Sequence, residues 1–330
     1  MLFLLFFGCN SDPSPVHPSV PQSPESETQS LQTKQVTSTS TPRETVYSTK
    51  NLASLSLPVT KEYRFDTPIA FNDMHTASKN ALKGMIKQHG ILMDNPWALL
   101  HAFLALGPEI QLPTGEKALD RLFQEYAILQ KHDNQQFVDF PMQKEVDGTR
   151  ILIEPHTDLA LKVLTEIGVP ADYPVTVQGQ QKQFLDLYKN SLLQTHLEPQ
   201  KNLSSFQSPN DIPWSLQGLS AMAPTDLRWE SNRLQMDLHS LTVFTAAVVH
   251  QETRFLAQAY QNQAGFEKKK QGIFKYTCGG AHLIQGLAYA NARGFGGEKS
   301  TAVVQEQIPL LYYRFPIELQ IYDALMQKYP

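Results

Sequence analysis

Cys278 and His282 are the pair of side chains best suited to chemistry in this 330-residue chain. They stand four residues apart in Thr277-Cys278-Gly279-Gly280-Ala281-His282, a spacing that puts both on one face of a helix. With Thr277 as N-cap, Cys278 takes the first helical position, where unpaired amides and the helix dipole lower a thiol pKa. The pair then suits a thiolate beside an imidazole, or two ligands of a metal ion. The same residues have a packing reading. Gly279, Gly280, Ala281 and Gly286 let two helices approach closely, with Cys278 a small buried hydrophobe and His282 a hydrogen-bonded core residue. The sequence leaves the two readings open.

The elements that must position this pair are predicted to be helical. Apolar residues recur every three to four positions over 77–88 and from Pro96 to Gly107, and again after Thr114 at Leu119, Leu122, Phe123 and Tyr126. Asn95-Pro96 supplies an N-cap and a first-position proline. Further helices are predicted at 157–167, 178–196, 213–222, 236–259, 278–292 and 303–329, the last bending at Pro309 or Pro316. One β-hairpin is expected, pairing 137–140 with 150–154 around Asp147-Gly148. The fold class expected is all-α: antiparallel helical hairpins carrying one small β-hairpin.

Three helix starts align without gaps: 95–101, 212–218 and 276–282, the first two sharing Pro-Trp-x-Leu. This degenerate pattern resembles the α/α toroids, in which inner helices begin at one end of a ring and their first turns line a cavity. The resemblance implies that His101, His156 and His239, which begin other helices, converge with Cys278 and His282 on one catalytic site. Some zinc-binding members of that class, the prenyltransferase β subunits, use Asp, Cys and His. Asp237, Cys278 and His282 imitate that set, which makes zinc the implied cofactor, although Asp237-Leu238-His239 lacks the local motif.

Other features are weaker. His250-Gln251-Glu252 is half of a zincin motif, without the second histidine. Glu154 and Asp158 flank His156 and can orient its ring or favour a helix N-terminus. Trp97, Trp214 and Trp229 suit either sugar stacking or the core. A glycine-rich phosphate loop and a G-x-S-x-G elbow are both missing. The net charge of −4 and pI near 6.2 give no basic excess, so a nucleic-acid partner is not expected.

At the other end of the chain, Leu2-Phe3-Leu4-Leu5-Phe6-Phe7-Gly8 precedes Cys9. An apolar run closing on a small residue and then Cys resembles the lipobox of bacterial lipoproteins, which implies cleavage before Cys9 and a lipid on its thiol. The resemblance implies a membrane attachment through that lipid. With Asn10 after the Cys, it also implies placement in the outer membrane. The following stretch is rich in Ser, Thr, Pro and Gln and cannot bury enough surface to offset its ordering entropy. The expected organisation is a signal segment at 1–8, a disordered tether at 9–60 and a helical domain at 61–330. The functional expectation is a lipid-anchored envelope protein whose helical domain binds or scaffolds an envelope polymer or protein. The alternative is a toroid enzyme acting on envelope glycan or peptide.

Overall fold

A computed structural model describes residues 45–57 and 73–328. Cys9 and most of the expected tether lie outside the described residues. The helices are α1 (Asp73–His89), α2 (Pro96–Leu106), α3 (Ala118–Tyr126), α4 (Leu159–Glu166), α5 (Phe184–Gln194), α6 (Ile212–Met222), α7 (Leu238–Gln261), α8 (Ala281–Ala292) and α9 (Gly297–Lys328). Asn95 caps α2 by accepting from the Ala98 N–H at 3.0 Å, and Pro96 follows it at the first helical position.

The domain is not all-α. It is 55% helical and 16% strand, with five small sheets among the described residues. β2 (Ile128–His132) pairs with β3 (Gln135–Asp139), β4 (Gln143–Val146) with β5 (Thr149–Leu152), and β6 (Pro174–Val177) with β7 (Gln180–Gln183). β8 (Leu197–Glu198) meets β9 (Leu203–Ser204), and β10 (Arg228–Ser231) meets β11 (Leu234–Asp237). The all-α toroid expectation is therefore overturned. The physical reason is a two-residue side-chain period in short segments. Along Pro174–Val177 the buried residues are Val175 and Val177, and along Arg228–Ser231 they are Trp229 and Ser231. The turns place Gln178-Gly179, Asn232-Arg233 and Asp147-Gly148 at positive φ, the backbone of the two-residue hairpin. Residues 178–183, expected to open a helix, are thus turn and strand, and α5 begins only at Phe184. The hairpin expected at Asp147-Gly148 exists, but its first strand is Gln143–Val146; Phe137 belongs to β3 instead.

Helices α2, α4, α6 and α8 form a row in which each packs on the next. Glycine permits two of these contacts. A Cβ on Gly218 of α6 would lie 3.0 Å from Leu161 and 3.1 Å from the Lys162 nitrogen of α4. One on Gly286 of α8 would lie 2.7–2.9 Å from Pro213, its backbone included. α7 packs against α8 and α9, and α5 against α6. Residues 45–57, expected within the tether, are part of this body. β1 (Val46–Tyr47) runs parallel to β10, and Leu52, Leu55 and Leu57 are buried in the main core.

Candidate functional site

The starts of the row helices bring aromatic and imidazole rings together. His156 precedes α4 and stacks on Trp214 of α6, with ring centroids 4.7 Å apart and planes 12° apart. His282, in the first turn of α8, meets the same indole at 4.4 Å. On α2, Trp97 packs against His101 at 4.2 Å, and the Trp97 carbonyl accepts from His101 Nδ1 at 2.7 Å. That bond fixes the proton on Nδ1 and leaves Nε2 of neutral His101 as an acceptor. Lys162 of α4 places its Nζ 5.7 Å from the Trp214 centroid and 2.7 Å from Glu166. Gln217 donates to the same Glu166 carboxylate at 3.1 Å. Lys162 is only 5% exposed along its side chain, so the ion pair and the indole face replace its hydration.

Burial sets the charge of this cluster. It pushes the His282 pKa down to about 4, with the Lys162 ammonium and the His156 and His101 rings adding to the effect. Burial also lowers His101, against the Trp97 carbonyl bond, with Lys162 and His156 again disfavouring its cation. Both rings are neutral at pH 7. His156 Nδ1 lies 3.5 Å from Asp211, which holds the ring's orientation. Glu154 accepts from the Ala160 N–H at 2.7 Å at the start of α4, and Asp158 accepts from Ser215 of α6. Burial raises both carboxyls, Asp158 to about 6 and Glu154 well above the usual range. These two acids secure the α4 start; Asp211 is the carboxylate that meets His156.

Of the residues singled out in the sequence, His101, His156 and His282 are brought together. His239 is not: it is exposed at the start of α7, beside Gly297. Asp237 caps α7, accepting from the Ser240 N–H at 2.6 Å. Trp229 is a core residue whose indole N–H donates to the Thr195 carbonyl at 3.0 Å, and His250 pairs with Glu306 on an exposed surface. Cys278 does not occupy a helix N-terminus. It has φ 53, Gly279 has φ 62 and Gly280 has φ 77, so the left-handed run delays α8 to Ala281 and removes the shared helix face with His282. Neither is Cys278 a buried hydrophobe; it is exposed. A left-handed backbone costs a non-glycine residue about 1–2 kcal/mol. Cys278→Gly is therefore expected to raise stability by about 1 kcal/mol in denaturant unfolding, and a loss of stability would contradict this.

Among the described residues, no three His, Cys, Asp or Glu side chains are grouped to hold a metal ion. This applies to the three ring histidines and to Asp237, Cys278 and His282, so the zinc expectation has no ligand set here. Lys162 is the residue of this cluster that sequence reasoning missed, whereas Trp214, open there between sugar stacking and the core, is buried and carries the two imidazoles. Lys162 carries a detectable signal, a lysine inside the apolar run Leu159-Ala160-Leu161-Lys162-Val163-Leu164 with Glu166 four residues on. Comparisons with protein-family models, curated proteins and solved structures give no match to this chain.

Proposed function

We propose that the protein is a binding protein for a hydroxyl-rich ligand, a glycan of the cell envelope, held on the His101, His156 and His282 face. The observation that carries this is the meeting of His156 and His282 on Trp214, with the Trp97–His101 pair near enough to act on both charges. The neutral His101 ring offers its Nε2 as an acceptor and the neutral His282 ring adds ring nitrogens of its own, partners that match hydroxyl groups. The half-buried Trp97 ring adds an apolar face for a sugar ring. The Trp214 indole N–H is buried and has no acceptor among the described residues, a donor that a ligand or water oxygen would satisfy. The low His282 pKa argues against that ring as a general base. A general base works best with a pKa near the working pH, whereas His282 is pushed to about 4.

The test is a titration of the full chain with soluble peptidoglycan fragments, read by tryptophan fluorescence. We expect a saturable change that is lost when His101 and His282 are both replaced by alanine. The pH profile has a definite sign. Because the folded pKa values lie below the ordinary value near 6.5, the acceptor nitrogens persist through that pH. Affinity should then fall as pH approaches about 4. Affinity lost around pH 6.5, or unaffected by the double substitution, contradicts the reading.

The apolar run before Cys9 supports a lipid on that thiol, tethering the binding domain to the envelope membrane. Cys9→Ser should abolish incorporation of labelled fatty acid and move the protein to the soluble fraction. Unchanged membrane fractionation and labelling would overturn the anchor.

A further inference from the structure

Helix α9 presents to solvent a face that a surface helix ordinarily buries. Its inward positions include Ser300, Gln307 and Arg314, with Gln307 donating to Thr253 at 3.1 Å and Arg314 to the Gly279 carbonyl at 3.1 Å. Outward, Tyr312 is 79% exposed, Met326 68% and Phe315 66%, joined by Ile308, Leu311 and Leu319. An apolar stripe normally faces the core.

We propose that this face is the interface of an antiparallel dimer between two copies of the chain. The register carries the argument. Ile308, Tyr312, Phe315, Leu319, Tyr322 and Met326 are spaced by four, three, four, three and four residues, the seam of a two-stranded coiled coil. A two-fold axis at Ile317 places Ile308 opposite Met326 of the second copy, Tyr312 opposite Tyr322, and Phe315 opposite Leu319. In antiparallel pairing each seam position meets its complementary position, and the same patch serves both copies, as a closed dimer requires. Tyr322 is half-buried beside Lys268, so it bounds the stripe.

The area is adequate. At roughly 200 Å² of surface per large side chain, the exposed parts of the six outward residues amount to on the order of 700 Å² per copy. A standard stable interface takes about 800 Å² per partner. The composition argues against a lipid surface as occupant. Helices lying on membranes carry free Lys and Arg beside the apolar stripe, whereas residues 305–326 carry Glu306, Glu318 and Asp323 against Arg314 alone, and both Arg314 and the neighbouring Lys268 are bound to Glu318. This inference is independent of the glycan reading, because the ring cluster shares no residue with the stripe.

The experiment is sedimentation velocity of the full chain, with the lipidation site replaced as Cys9→Ser, up to about 100 µM, where even a micromolar affinity fills the dimer. We expect twice the chain mass, and the monomer mass for Phe315→Glu and for Tyr312→Glu, with unchanged circular dichroism. Should either variant fail to fold, Phe315→Ser supplies the same comparison. A wild-type monomer throughout the range, a dimer that survives these substitutions, or a monomer that sediments with lipid vesicles through this face would each overturn the proposal.

Discussion

Replacing Trp214 by alanine is expected to destabilise the domain by about 3–5 kcal/mol, the range for truncating a buried tryptophan, and to abolish glycan binding. The indole is 5% exposed, and its removal opens a cavity between α4, α6 and α8. Lys162 would lose the ring face over which its charge sits, and His156 and His282 would lose their common support. Trp214→Phe separates the two effects. The indole N–H has no acceptor among the described residues, so removing it leaves no partner unsatisfied. Its stability cost should stay near 1 kcal/mol. On the proposed reading, in which the ligand accepts from that N–H, affinity should fall by about tenfold. Denaturant midpoints and the fluorescence titration check both. Equal affinity in the phenylalanine variant would remove the indole N–H from the site.

Gly286→Ala is expected to cost about 3 kcal/mol, because the new methyl group would lie 2.7–2.9 Å from the side chain and backbone of Pro213. Backbone cannot yield as a flexible side-chain end does, so α8 must shift away from α6. That shift separates His282 from Trp214 and should weaken ligand binding even where the protein remains folded. The measurement pairs the unfolding free energy with affinity for the peptidoglycan fragments. A variant as stable as the parent would contradict the close approach of α8 to Pro213 of α6.

Helix starts were the most legible elements in the sequence. Asn95-Pro96 and Pro213 mark α2 and α6 because capping and proline geometry act locally. The hairpins were legible only at Asp147-Gly148, whose dipeptide specifies its turn; Gln178-Gly179 and Asn232-Arg233 adopt the same backbone with weaker signals. There, alternation over four residues is set by tertiary burial of Val175, Val177 and Trp229. The candidate site divides in the same way. The meeting of His156 and His282 reflects their common place at helix starts, whereas Trp214 as the hub and Lys162 as its buried cation depend on the α4–α6 contact at Gly218. Cys278 stands off the helix start because the two glycines after it permit a left-handed run, which puts that start three residues on.

The proposed binding site is tested most directly by the imidazole resonances of the histidines, followed by nuclear magnetic resonance while soluble peptidoglycan fragments are added. The ring signals of His101, His156 and His282 should move together along one saturation curve, while those of the exposed His239 and His250 stay in place. Signals of the three clustered rings that remain fixed to saturation, or movement confined to His239 and His250, would contradict the assignment of this face as the binding site.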